Sequence, residues 1–260
     1  MIAPSTLDPA ARASAPARRG SADRPGLAPV PATARPAASG VGPRCPGLRE
    51  PIQILLGSAI RCLCAPLEVE GLEHAAGLVG PTLLVANHAS HLDAPLVLAA
   101  LPGDVRTRLA VAAAEDRFFR SPLLGLAVSL GLGAFPFPRG RGCAAGLLRA
   151  RGRLEAGWHV LLFPEGTRSR DGRPGPFRPG AAHLARTAGV PVLPIGIAGA
   201  HRLLPPGAAL PRRGPVRVRF GEPYRPHPDH DVDAITAALA ARVAELISLE
   251  GDTTWRTSRH

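Results

Sequence analysis

Lysine is absent from the chain: all 31 basic residues are arginines, set against 20 acidic ones for a formal net charge of +11. Arginine favours planar, bidentate pairing with phosphate or carboxylate, so anionic partners are expected. Aromatic residues are also scarce, with one Tyr and two Trp. Scattered arginines without a stacking platform or a basic recognition helix argue against nucleic acid, despite a sequence pI of about 11.3. A lysine-free composition rich in Ala, Gly, Pro and Arg is also what a GC-rich genome produces, so charge alone does not establish a partner.

Cysteine is sparse and poorly spaced. Cys45, Cys62, Cys64 and Cys143 form no C-x-x-C pair and no zinc spacing, and a chain of 260 residues is too large to depend on disulfide staples. Reduced thiols are expected. No run reaches the ~18 to 20 apolar residues needed to span a bilayer, and the N-terminus lacks the apolar core of a secretory signal. A protein that dissolves or lies on a membrane surface is therefore expected, with one substantial core in one domain.

Residues 1–47 are rich in Ala, Pro, Arg and Ser and contain no aromatic residue, so they cannot bury enough apolar surface to offset the entropy of ordering. A disordered tail is expected, although Arg12, Arg18, Arg19, Arg24 and Arg35 against Asp8 and Asp23 also fit a transit peptide or a start codon placed too early. Residues 48–64 read as an amphipathic helix, with Ile52, Leu55, Leu56, Ala59, Ile60 and Leu63 on one face and Gln53, Gly57 and Arg61 opposite. It either packs on the domain or lies in the membrane interface.

Short apolar runs then alternate with helical patterns. Thr82–Ala86, Leu109–Ala113, Ala134–Phe137, His159–Phe163 and Val192–Ala198 read as strands. The fold class expected is α/β: a mostly parallel mixed sheet flanked by helices, with the N-terminal amphipathic helix and the disordered tail attached. Val216–Phe220 alternates Arg with hydrophobes and reads as an edge strand. A closing helix over about Val232–Leu249, with Asp229 or Asp231 as N-cap, packs through Val232, Ile235, Leu239, Val243 and Leu246, and residues 251–260 form a C-terminal tail. The apolar helix Pro122–Leu132 either borders a groove or is buried in the core.

Two blocks carry chemistry. In Asn87-His88-Ala89-Ser90-His91-Leu92-Asp93, His88 follows a buried strand, where the loops of parallel sheets converge on ligands. Its imidazole can accept a hydroxyl proton near neutral pH. Asp93 lies five residues on, so a tight turn must bring its carboxylate back to fix the imidazole tautomer, in the manner of a triad without a serine. His88, His91 and Asp93 are metal-ligand types, but no further cluster completes a first shell, and no G-x-S-x-G elbow offers a nucleophilic serine. The second block, Phe163-Pro164-Glu165-Gly166-Thr167-Arg168-Ser169, ends a strand in a turn where bare backbone can approach an anion and Arg168 adds a fork of donors. Glu165 either meets acceptor hydroxyls or pairs with an arginine.

The N-H-x-x-x-x-D block followed by F-P-E-G-T-R-S resembles the glycerolipid acyltransferase family, the lysophosphatidate acyltransferase-like enzymes. The likeness spans roughly residues 66–222 and makes residues 65–250 the acyltransferase domain. It implies an O-acyltransferase that moves a fatty acyl group from acyl-CoA or acyl carrier protein to the free hydroxyl of a lysophosphatidic acid-like acceptor in phospholipid biosynthesis. The residues it implies are His88 and Asp93 for catalysis, and Glu165, Gly166, Thr167 and Arg168 for acceptor binding. Arg139, after the looser middle motif Gly133–Arg139, is implied as a phosphate contact, with Arg141 as its neighbour. Val190-Pro191-Val192-Leu193-Pro194 resembles a fourth block and places Pro191 and Pro194 on the acyl pocket, although a proline-started core strand reads equally well.

An acyl thioester is already activated, so no cofactor and no metal is expected beyond the acyl-CoA or acyl carrier protein co-substrate. Backbone N–H groups near His88 or Gly166 are candidate oxyanion donors. Acyl chains, worth ~0.8 kcal/mol per buried CH₂, hold such an enzyme at a membrane. Peripheral attachment to an anionic surface, the cytoplasmic face of the cell membrane, is expected. Acceptors such as glycerol 3-phosphate, lysophospholipids or lyso-ornithine lipids fit the same motifs; a metal-dependent hydrolase or a non-catalytic lipid-surface binding protein fits them less well.

Overall fold

The computed structural model describes residues 46–227 and 229–248. Residues 1–45 of the expected tail, Leu249 at the end of the expected closing helix, and the tail at 251–260 lie outside the described residues.

The chain runs through helix α1 (Pro46–Leu63), strand β1 (Leu67–Glu70), helix α2 (Leu72–Ala76), strand β2 (Leu83–Ala86), helices α3 (Asp93–Ala100) and α4 (Gly103–Thr107), and strand β3 (Leu109–Ala114). Helices α5 (Glu115–Phe118) and α6 (Pro122–Leu132), strand β4 (Ala134–Phe137), helix α7 (Cys143–Glu155) and strand β5 (His159–Leu162) follow. Helix α8 (Gly180–Ala188), strand β6 (Val192–Ala198), helix α9 (Ala200–Leu203), strand β7 (Val216–Phe220) and helix α10 (Val232–Ser248) complete it. The strands form one sheet in the order β1-β7-β6-β2-β5-β3-β4, parallel throughout except for the antiparallel pair β6 and β7. The expected mixed α/β sheet is present, with strand ends within a residue of those read from the sequence.

The central strands are buried on both sides, which is why they read as continuous apolar runs. On β2, Leu84 and Ala86 join a core shared with α3, β3 and β6, whereas Leu83 and Val85 join a second core shared with α8 and α10. Asp231 caps α10 by accepting from Asp233 N–H at 3.2 Å, and Ile235, Leu239 and Val243 are buried as their spacing predicts.

The structure revises the reading of β7, α6 and α1. Strand β7 is interior, because β1, unrecognised in the sequence, pairs alongside it and takes the edge. The alternating arginines face partners across that pair: Arg217 meets Glu68 and Glu70, and Arg219 meets Glu70 at 2.7 Å while donating to Leu246 O. An ion-pair ladder thus imitated the pattern of a solvent-facing strand. Of the two readings of helix α6, the helix buried in the core is not what forms: Leu123, Leu124 and Leu126 are exposed and only Gly125 and Gly131 are fully buried.

Helix α1 docks with a face rotated from the one its hydrophobicity marks: Ile60 is buried and Leu56 and Leu63 pack on the core, but Leu55 and Ala59 of the same stripe are exposed. Gln53 and Gly57 are buried. The reason is close approach: Gly57 admits Ala99 of α3, and Ile52 and Leu56 close over Gly131 of α6. Arg61 donates to Ala99 O, and the buried Arg49 guanidinium donates to Leu109 O at the start of β3. Burial lowers the Arg49 pKa to about 10. Gly133, with φ of 67°, leaves the room Arg49 needs.

A methyl group at Gly133 would overlap the Arg49 guanidinium and lie 2.5 Å from Leu109 O. Gly133→Ala is therefore expected to destabilise the protein by about 3 kcal/mol, from clash and left-handed backbone strain together. Urea unfolding measures it, and an unchanged midpoint would refute the packing of Arg49 beneath β3.

Candidate active site

His88 leaves the end of β2 along a path set by its neighbour. The Asn87 amide donates to Ile197 O at 3.0 Å and accepts from Ile197 N–H at 2.8 Å, extending the β2 and β6 pairing by one step through a side chain. The chain then turns sharply. Asp93, fully buried as the first residue of α3, receives three donors on Oδ2: Ala89 N–H at 2.7 Å, Ser90 N–H at 2.8 Å and the His88 ring through Nδ1 at 2.8 Å. The five-residue spacing closes because two successive backbone amides fold around one carboxylate oxygen. Its position in the first turn of α3 adds the favourable helix dipole. Ser90 secures the turn by donating to Leu204 O and accepting from Leu92 N–H.

With Nδ1 held by a carboxylate it carries the proton, and Nε2 is left as the lone-pair nitrogen. The ring stacks on Phe163 at 4.3 Å between centroids and remains one-fifth exposed. It lies on a cavity of about 660 Å³ at the C-terminal ends of β2, β3 and β5. One part of the wall is apolar: Ala94, Val111, Ala112, Leu132, Phe137, Leu147 and Leu162. Another carries Arg117, Arg139, Arg168, Arg170 and Arg178.

The second block closes over the first. Gly166, with φ of 71°, completes a turn by donating its N–H to Phe163 O at 3.0 Å, and Ser169 N–H donates to His88 O at 2.8 Å. Gly166, Thr167 and Arg168 line the cavity; Glu165 does not. Its carboxylate is buried and accepts His88 N–H at 2.7 Å on Oε1 and Gly175 N–H at 2.9 Å on Oε2. Burial raises the Glu165 pKa even though both amides oppose the shift. The N–H groups of His88, Ala89 and Gly166 are thus all committed internally, whereas Thr167 N–H meets no acceptor among the described residues.

Arg139 forms a bidentate pair with Asp116 of α5, Nε to Oδ1 at 3.2 Å and Nη2 to Oδ2 at 2.6 Å, so one edge of its fork is engaged. Arg141 is exposed on the turn beyond it and does not line the cavity. Arg168 has no acceptor among the described residues, and its pKa is lowered by burial and by Arg117 nearby. Arg117 and Phe118 were not singled out from the sequence. Their signal was their place directly after β3, on the same sheet end as His88. Pro191 and Pro194 do not line the cavity: Pro191 O pairs with Leu83 N–H ahead of β6, and Pro194 is buried within that strand, on the far side of β2. The proline-started core strand is what forms.

His91 also lines the cavity, its ring edge-on to Phe118. Burial first, then Arg168, Arg117 and His88, lower its pKa to about 4. His159, at the start of β5, is lowered to about 4 by burial and Arg108. Among the described residues no three His, Cys, Asp or Glu side chains gather as a metal site.

A histidine depressed in the folded state contributes stability that is present above its unfolded pKa near 6.5 and is lost as pH falls towards 4. Unfolding free energy should fall between pH 7 and 4.5, at up to about 1.4 kcal/mol per pH unit for each fully depressed histidine. His91→Asn and His159→Asn should each flatten that slope in urea unfolding series. Slopes matching the parent would show that these rings are not held neutral.

The His88 and Asp93 pair thus sits at the C-terminal ends of the parallel strands of a mixed α/β sheet. The chain belongs to the Acyltransferase family, whose model matches residues 66–198. A chloroplastic 1-acyl-sn-glycerol-3-phosphate acyltransferase of Brassica napus is 35% identical over 159 residues, covering 60% of this chain and 44% of that one. A chloroplastic 1-acyl-sn-glycerol-3-phosphate acyltransferase of Arabidopsis thaliana is 31% identical over 191 residues, 70% of this chain and 49% of that one. The match therefore spans about half the length of these relatives. The crystal structure of the 1-acyl-sn-glycerophosphate (LPA) acyltransferase PlsC from Thermotoga maritima superposes with a TM-score of 0.65 at 27% identity, covering 75% of this chain and 76% of that one.

Proposed function

We propose that the protein transfers a fatty acyl group from an acyl thioester, acyl-CoA or acyl carrier protein, to the free hydroxyl of a lysophosphatidic acid-like acceptor. The observation that carries this reading is the His88 and Asp93 pair, with Nδ1 held at 2.8 Å beside a cavity that joins an apolar wall to a cluster of arginines. Nε2 takes the acceptor hydroxyl proton as the oxygen attacks the thioester carbonyl carbon. The tetrahedral intermediate collapses with cleavage of the carbon–sulfur bond, and the imidazolium returns its proton to the departing sulfur. Asp93 holds the tautomer and stabilises the imidazolium. Thr167 N–H is the candidate oxyanion donor that has no partner among the described residues. Arg168 and the open edge of Arg139 bind the acceptor phosphate, with Gly166 and Thr167 as the adjoining backbone and Arg117 beside them.

His88→Ala is expected to lower kcat by about 10³- to 10⁴-fold, to a small measurable residue, with the fold intact, and Asp93→Asn to lower it by about 10² or more through loss of tautomer control. Acyl transfer to lysophosphatidate in mixed micelles, alongside thermal melts, decides this; near-parental turnover in both folded variants would end the general-base reading. Arg139→Ala and Arg168→Ala should instead raise the acceptor KM, with lysine only partly restoring it because a bidentate contact is lost. An unchanged KM in both would remove the arginines from the acceptor site.

We further propose peripheral attachment to an anionic membrane through the packed pair α1 and α6. No helix among the described residues is long and apolar enough to cross a membrane. The outer surfaces of the two helices carry Leu48, Ile54, Leu55, Leu123, Leu124 and Leu126, and Leu132 at the end of α6 lines the cavity. An acyl chain would then pass from bilayer to site along one helix. Leu55 and Leu123, 73% and 79% exposed, can be changed without disturbing the core; Leu56, packed on Gly131, cannot. Leu55→Asp with Leu123→Asp should abolish flotation with phosphatidylglycerol vesicles at an unchanged melting temperature. Full retention on the vesicles would assign attachment elsewhere.

A further inference from the structure

Glu165 lies inside the block implied in acceptor binding, yet its geometry gives it another task. It is 5% exposed, it is absent from the cavity wall formed by Pro164, Gly166 and Thr167, and each carboxylate oxygen already accepts one backbone amide. One amide belongs to His88 and the other to Gly175, on the segment that leads to Arg178. Ser169 N–H completes the grip by donating to His88 O. The peptide groups on both sides of the His88 Cα are thus held by the same seven-residue block that presents Arg168.

We infer that Glu165 is a positioning residue for His88: its buried carboxylate clamps the His88 and Gly175 amides and so sets the imidazole relative to the acceptor held by the neighbouring Thr167 and Arg168. This rests on the assignment of His88 as the base. The Glu165 carboxyl group offers one acceptor oxygen to each amide. A glutamine places an N–H₂ group against one of two N–H donors, and an aspartate is a methylene too short to span them. A catalytic base displaced by a fraction of an ångström loses rate, while acceptor affinity, supplied by the arginines, is retained.

The test is steady-state transfer to lysophosphatidate in mixed micelles at saturating acyl thioester, for the full chain and for Glu165→Gln, Glu165→Asp, Gly175→Ala, His88→Ala and the Glu165→Gln/His88→Ala double variant, each with a thermal melt. Glu165→Gln is expected to lower kcat about 10- to 100-fold with the acceptor KM within twofold of the parent, and aspartate should not rescue it. In the His88→Ala background the same change should cost nothing further, because a clamp has no catalytic effect without its ring. Gly175→Ala places a methyl group 3.2 Å from Oε2 and provides a milder variant should Glu165→Gln fail to fold; a severalfold fall in kcat at constant KM is expected. A raised acceptor KM at unchanged kcat would make Glu165 an acceptor ligand, and parental kcat in folded variants, or losses that add to those of His88→Ala, would equally overturn the inference. Near-parental activity in His88→Ala would instead mark failure of the general-base assignment itself.

Discussion

One buried carboxylate oxygen organises the end of the sheet that carries the candidate active site. Asp93 Oδ2 collects the His88 ring and the Ala89 and Ser90 amides within 2.8 Å, at the start of a helix whose remaining length is packed into the core. Burying an ionised group without compensation costs several kcal/mol, and here hydrogen bonds to the charged form together with the helix dipole offset it. The turn and the charge depend on each other. Without the carboxylate the two amides would be orphaned, and without the turn the imidazole would have no fixed tautomer.

A second carboxylate extends this order outward. Glu165 joins the amide of His88 to that of Gly175, so the loops after β2 and β5 share a polar network whose carboxylates bond to backbone. Backbone partners suit a site of this kind because they carry no rotamer freedom to be lost. The arginines, by contrast, stay at the cavity wall and the mouth, where Arg168 has no acceptor among the described residues and Arg139 keeps one edge open beside Asp116. Rigid polar chemistry at the centre and open cationic chemistry around it match the proposed division between proton transfer and phosphate binding.

The apolar side follows the same logic at a larger scale. Helix α1 turns its polar Gln53 and its Gly57 inward, buries the Arg49 guanidinium beneath β3, and leaves Leu55 outside. Helix α6 likewise covers its glycines and exposes leucines. Exposed leucines on two neighbouring helices, next to a cavity with an apolar wall, fit the proposed attachment to a membrane surface. Small residues at the contacts let the two helices pack closely.

What could be read from the sequence was local or periodic. Doubly covered strands showed as apolar runs, His88 and Asp93 stood at a spacing that only a tight turn could close, and Gly166 marked a bend before Arg168. Pairing across the chain was not legible. Alternating arginines in β7 suggested an edge because Glu68 and Glu70, nearly 150 residues earlier, supply the ladder that buries them. A helical wheel could not tell the face of α1 toward Gly131 and Ala99 from the exposed face that carries Leu55, since both hold apolar residues. Residue chemistry and local turns were determined by the sequence itself; only the tertiary structure decided that Glu165 bonds to backbone, that Pro191 and Pro194 belong to a core strand, and that Arg117 joins the cavity, because each outcome depends on which distant segment arrives beside it.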